Sequence, residues 1–219
     1  MILLSVSTSG NKASAALLKD GKLLALLKGE RGLTHSETLL PLCERLLKDF
    51  DLKAWDVDAY AVDVGPGSFT GVRIGVCAMN AMAAATGRSI AAVCSLDALY
   101  EGAREYPSVC TLIDAKGEKV YAAHYESGTE TLPPCATTLD ELLPLLPRGT
   151  AYAGDGALAY AENILNQDRS AALLPVELLA DAVAIAGYRM HQSGNVSLEA
   201  LPLYLRPSQA ERLRGSRKE

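Results

Sequence analysis

The chain has 219 residues, 49% of them hydrophobic, and a formal net charge of −5. That length fits one large domain or two small ones, with enough apolar residues for a sizeable core. The acidic balance excludes a global nucleic-acid footprint, and no apolar run reaches the roughly 18 residues of a membrane-spanning helix.

The start of the chain lacks the basic region and long apolar stretch of a signal peptide, so a soluble, cytoplasmic protein is expected. The five cysteines (Cys43, Cys77, Cys94, Cys110, Cys135) form no CxxC pair and read as buried thiols in a reducing compartment. Ile2–Ser7 is an apolar run fit for a buried strand, and residues 13–18 are a second. Asp20-Gly21 marks a two-residue hairpin turn into a third strand, Lys22–Lys28. A helix follows. Thr34 and Glu37 have capping-box spacing, Pro41 is placed in the first turn, and Leu39, Leu42, Cys43, Leu46, Leu47 and Phe50 form a helical stripe. Leu40 lies off that stripe, so the apolar surface is wider than one core face needs.

Residues 57–64 are the next strand, leading into Gly65-Pro66-Gly67-Ser68-Phe69-Thr70-Gly71-Val72-Arg73-Ile74-Gly75. This glycine-rich turn opens a helix over 72–85. Such a turn either cradles a phosphate at the helix N-terminus or feeds a helix that packs very closely on something. Gly71, Gly75, Ala78, Met79 and Met82 lie along one side of that helix, thin enough for a second helix to approach. A strand at 90–94 and a helix opening at Ser95 complete the order β-β-β-α-β-α-β-α.

The second half repeats it. Strands are predicted at Ser108–Asp114 and 118–125, and Pro133-Pro134 permits an edge strand at best over Thr129–Thr138. A short helix to Leu146, a strand at 150–153, a helix after Gly154-Asp155-Gly156 running to Gln167, a weak strand at 171–174 and a helix over 177–192 ended by Gly194 follow. Two lobes, 1–105 and 106–219, are expected to face each other across a cleft. The order resembles the actin-like ATPase architecture, so the expected fold class is α/β, of the two-lobed actin-like ATPase, RNase H-like kind. The last residues, with Arg212, Arg214, Arg217 and Lys218, read either as a solvated tail or as a contact for RNA or an acidic partner.

Phosphates in such folds lie between one hairpin of each lobe. The first hairpin here is Ser7-Thr8-Ser9-Gly10, and a hydroxyl at position 7 cannot hold Mg²⁺ beside a polyphosphate as a carboxylate would. Thr8, Ser9 and Asp114 remain weak candidates for a nucleotide, with Gly154 and Gly156 beside an adenosine; plain turns are the alternative. His35, His124 and His191 have no metal-site spacing. Ser68 is not in a GxSxG elbow, and no GK[ST] follows the glycines, so no catalytic residue, metal or resident cofactor is assigned.

With these residues laid out, the chain resembles the TsaB (YeaZ) family, part of the bacterial system that makes threonylcarbamoyladenosine beside the anticodon of tRNAs. The likeness rests on the glycine-rich stretch 65–75, His35-Ser36-Glu37-Thr38-Leu39-Leu40-Pro41-Leu42, Asp114-Ala115-Lys116 and Pro202-Leu203-Tyr204-Leu205-Arg206. Ser7 replaces the family's usual Asp, and Lys116 its usual Arg, which keeps the charge but loses a bidentate donor. The resemblance implies a non-catalytic subunit that pairs with the catalytic subunit TsaD through its first two helices. TsaE joins the complex, tRNA is reached through it, and ATP or ADP binds only at its interface. The partner surface is then expected from His35, Leu39, Leu42, Cys43 and Leu46 on the first helix and Gly71, Gly75, Ala78, Met79 and Met82 on the second. A homodimer through the same helices is the expectation for the isolated chain, and a nucleotide-dependent transferase or glycoprotease-like peptidase is the rival class.

Overall fold

The computed structural model describes residues 1–30 and 34–206. An antiparallel meander of β1 (Ile2–Ser7), β2 (Ser14–Lys19) and β3 (Lys22–Lys28) opens the chain. Asp20 and Gly21 join the last two with φ of 50° and 79°, the positive pair that a tight hairpin turn requires. Then come α1 (His35–Asp49), β4 (Ala59–Asp63), α2 (Phe69–Thr86), β5 (Ile90–Val93) and α3 (Ser95–Glu101). The Glu37 carboxylate accepts the Thr34 N–H at 2.9 Å, as the capping spacing predicts. Pro41 lies past the first turn of α1 rather than in it, on the exposed side. The helix α2 begins earlier than its apolar pattern suggests, because the Ser68 hydroxyl accepts the Gly71 N–H at 3.2 Å and caps it.

The second half contributes β6 (Ser108–Asp114), β7 (Lys119–Glu126), β8 (Thr129–Thr138), α4 (Leu139–Leu142) and β9 (Ala151–Ala153). It continues with α5 (Asp155–Ala159), α6 (Ala161–Gln167), β10 (Ala172–Leu174) and α7 (Ala180–Ser193). The single helix expected up to Gln167 is two, parted at Tyr160. The two sheets have the orders β3-β2-β1-β4-β5 and β10-β9-β6-β7-β8, the same arrangement twice. In each, the first three strands are antiparallel and the last two join in parallel. The proline-bearing β8 sits at a sheet edge, where a missing N–H costs least.

The layers run helix, sheet, helix, sheet, helix. Leu4, Val6, Tyr60 and Val62 turn one face of the first sheet toward α1 and α2. Leu3, Leu18, Ala61 and Val93 turn the other toward α7. The second sheet packs α3 against Val109, Ile113 and Ala123, and the α4–α6 side against Cys110, Leu112 and Val120. Each fully buried Leu or Val contributes about 1.5–3 kcal/mol. The boundary at 105/106 separates the sheets, but the closing helices do not follow it: α3 packs on the second sheet and α7 on the first. The two helices also meet in the middle layer, where the Glu101 carboxylate accepts from Arg104 at 3.0 Å and Arg189 at 2.7 Å. The basic tail lies outside the described residues.

Candidate functional site

A cleft opens between the lobes in two connected parts of about 560 and 480 Å³, both lined by Ser9, Asn11, His35, Pro66 and Asp155. The loop between β1 and β2 forms one wall. The glycine-rich turn lies directly on that loop. The Ser68 N–H donates to the Ser9 carbonyl at 2.8 Å, and the Thr8 hydroxyl to the Gly71 carbonyl at 2.7 Å. A Cβ at Gly67 would lie 2.6 Å from the Ser9 Cβ, and one at Gly71 or Gly75 would overlap Thr8. The glycines thus serve close packing inside the lobe. They press α2 onto the first hairpin, and Thr8, fully buried, turns away from the cleft.

Asp63, at the end of β4, carries the most heavily hydrogen-bonded carboxylate of this junction. Ser7 donates to Oδ2 at 2.8 Å, and the Ser9 hydroxyl donates to the same oxygen. Ser95 donates to Oδ1 at 2.5 Å and the Gly65 N–H at 3.0 Å. Burial pushes the carboxyl pKa up, and the hydrogen bonds from Ser9, Ser95, Gly65 and Ser7 pull against that shift. Sequence reasoning passed over Asp63. Its signal was a charged residue closing the apolar run Ala59-Tyr60-Ala61-Val62, which demands buried partners. The carboxylate that Ser7 lacks on β1 is therefore present on the adjacent strand, turned inward rather than toward the cleft.

Across the cleft, Asp114 ends β6 beside Lys116. The Lys116 Nζ lies 2.5 Å from Oδ2, while its N–H and the Tyr160 hydroxyl reach Oδ1 at 2.8 and 3.3 Å. Partial burial pushes the Asp114 carboxyl up, but these contacts more than offset it and hold the pKa below the usual value. The carboxylate is occupied within its own loop. Gly154 and Gly156 serve packing as well: a Cβ at Gly156 would lie 2.9 Å from the Leu112 carbonyl, and one at Gly154 would overlap that same oxygen. Asp155, between them, is the residue that reaches the cleft.

The predicted partner surface divides. Leu39, Cys43, Leu46 and Met79 are at most 2% exposed in the chain's own core, and Gly71 and Gly75 face Thr8. These six face the chain's own sheet and hairpin, which corrects their assignment to a surface. Leu42, Ala78 and Met82 are half-buried at the edge of that core. His35 is also half-buried and points at the cleft, donating from Nε2 to the Gly10 carbonyl at 3.1 Å. The exposed apolar residues include Leu40 on α1, 54% exposed, and Cys77, Ala81, Ala84 and Ala85 on α2, while Glu44, Arg45 and Lys48 keep the outer side of α1 charged. Arg73 is the only charged residue within α2.

The terminal stretch after α7 carries the motif Pro202-Leu203-Tyr204-Leu205-Arg206. It runs as a strap along the first lobe. Ile90 and Ser197 pair, the Asn80 side chain bonds both ways with the Ala200 backbone at 2.8 and 2.9 Å, and the Leu203 N–H reaches the Val64 carbonyl at 2.8 Å. Tyr204 stacks on Phe69 with ring centroids 4.8 Å apart, and Arg73 donates to its hydroxyl at 2.8 Å. Arg206 then bonds the Ala115 carbonyl of the second lobe at 3.0 Å. The glycine-rich stretch, Asp114-Ala115-Lys116 and the terminal stretch thus meet at one end of the cleft.

Among the described residues no group of three or more His, Cys, Asp or Glu side chains is placed to hold a metal ion, and no helix is long and apolar enough to cross a membrane.

The family model of TsaD, tRNA N6-adenosine threonylcarbamoyltransferase, matches residues 32–187. YeaZ from Pseudomonas aeruginosa is 31% identical with a TM-score of 0.76, over 93% of this chain and 99% of that one. The tRNA threonylcarbamoyladenosine biosynthesis protein TsaB of Bacillus subtilis is 32% identical over 58% of this chain and 56% of its own length, so the match spans about half of that relative. An activator of 2-hydroxyisocaproyl-CoA dehydratase from Clostridium difficile, with bound ADPNP, is only 9% identical but has a TM-score of 0.56, a likeness of fold alone. The repeated sheets give the actin-like ATPase fold, and the near full-length match to YeaZ gives the family: the chain belongs to the TsaB (YeaZ) family.

Proposed function

We propose that the chain is a non-catalytic subunit of the machinery that forms N6-threonylcarbamoyladenosine in tRNA, pairing with TsaD through the outward face of α1 and α2. The observation that carries this reading is the surface of α2. Ile74, Cys77, Ala78, Ala81, Met82 and Ala85 run along it with no charge among them, and Leu40 on α1 is also exposed. An uncharged helix face of this kind is a poor solvent boundary and a good interface core. The inward turn of Asp63 and the pairing of Asp114 with Lys116 support a supporting role rather than a chemical one. TsaE would join the TsaD pair, and tRNA would be reached through the assembly in the cytoplasm.

The test is capture of TsaD by the full chain, with Ala81→Asp and Cys77→Asp as variants. Both positions are exposed, so stability should stay within about 0.5 kcal/mol. An unpaired carboxylate buried in the interface should weaken binding at least about tenfold. Alkylation of Cys77 should slow when TsaD is present. Undiminished capture by both variants, with Cys77 equally reactive in the mixture, would remove this face from the interface. Self-association blocked by the same variants would show that a second copy uses it when TsaD is absent.

A further inference from the structure

A buried carboxylate ordinarily sits beside a cation or a metal, because desolvation of an isolated charge is costly. Asp63 is fully buried and its hydrogen-bond partners are all neutral. They converge in pairs, the Ser7 and Ser9 hydroxyls on one oxygen and the Ser95 hydroxyl and Gly65 N–H on the other. The four donors come from four places: the end of β1, the hairpin loop after it, the glycine-rich turn and the first residue of α3. The turn is tied to the same point twice more, since the Ser68 N–H bonds the Ser9 carbonyl and the Ser95 N–H bonds the Gly65 carbonyl, both at 2.8 Å. A ring of hydroxyls and an amide is the kind of cradle that a small oxyanion ligand would meet.

We propose that Asp63 is an internal anion filling this cradle, and that its charge, rather than its shape alone, fixes the first hairpin, the glycine-rich turn and α3 to one another. The hairpin is then held against the glycine-rich turn and α3 by a side chain of the chain itself, with no external ligand needed to order it. Asp63 is a positioning residue: it touches neither the cleft nor the outward face of α2, and the inference stands independently of the partner reading.

The test is thermal unfolding of the isolated full chain carrying Asp63→Asn or Asp63→Ala, in sodium formate and in sodium chloride of equal ionic strength. Asp63→Asn keeps the shape, removes the charge and sets an NH2 donor against one of the two donor pairs. It should lower the Tm by about 10 °C, the scale expected for breaking a buried network in a chain of this size, with no response specific to formate. Asp63→Ala leaves a cradle open to a small carboxylate, and formate should recover part of the loss saturably while the unaltered chain shows no such gain. A merely structural side chain would show no anion-specific recovery. If Asp63→Ala cannot be purified folded, refolding from urea in formate but not in chloride supports the internal anion, and refolding in neither counts against it. Asp63→Asn within about 2 °C of the unaltered chain overturns it.

Discussion

Replacing Gly71 or Gly75 by alanine tests whether the small residues of α2 serve the chain's own packing or a partner. Helix propensity alone favours alanine by about 1 kcal/mol at each position. Against this, the new Cβ would lie inside 3.0 Å of Thr8, on its backbone carbonyl at Gly71 and on its side-chain oxygen at Gly75. Thr8 has nowhere to retreat, because it is fully buried and its hydroxyl is bonded to the Gly71 carbonyl at 2.7 Å. Forcing it aside costs about 1–3 kcal/mol in overpacking and about 1–3 kcal/mol if the buried hydrogen bond is lost. The net expectation is about 3 kcal/mol of destabilisation, larger at Gly71, where the clash is with backbone. For a chain of this size that is a fall in Tm of about 6–12 °C. Urea unfolding followed by circular dichroism measures it on the chain alone, without TsaD. Stability equal to or above that of the unaltered chain in both variants would refute the packing argument and return the glycines to the surface.

His124 is buried on β7, with Ser108 and Thr131 at 2.9 and 2.6 Å from its ring nitrogens. Burial lowers its folded pKa; its stabilising effect is full above about pH 6.5 and fades as the pH falls through that value toward the folded pKa. His124→Gln should flatten that part of the profile, read as the difference in urea midpoint between pH 7.5 and about 5.5; an unchanged slope would place the dependence elsewhere. Tyr125 donates to Asp97 of α3 at 2.5 Å and stacks on Tyr100 at 4.2 Å. Tyr125→Phe keeps the stack and strands the carboxylate, so it should cost about 1–3 kcal/mol in urea unfolding; a loss below about 0.5 kcal/mol would mean that the carboxylate finds another partner.

Much of the fold was legible because its strands are short and apolar. Ile2–Ser7, Lys22–Lys28 and Ser108–Asp114 have the bounds that their patterns predict. The site was less so. Gly71 and Gly75 mark a close approach, but spacing alone does not say whether a partner helix or Thr8 does the approaching. The burial of Val72, Val76 and Met79 on the same side settles it. Asp63 meets Ser7, Ser9 and Ser95 across 56, 54 and 32 residues of chain, so its cradle exists only after folding. The outward face of α2 was hidden by the same cause: in a helix with one charge, both sides read as apolar.

The crossing of α3 and α7 has a consequence for how such a chain is divided. Each half lends its last helix to the sheet of the other, which is the geometry of a domain-swapped pair joined end to end. A cut at 105/106 would leave α3 without the sheet it covers and the first sheet without the helix that covers it. The repeat is visible in the strand order, yet each sheet depends on a helix from the other half for its cover on the inner face.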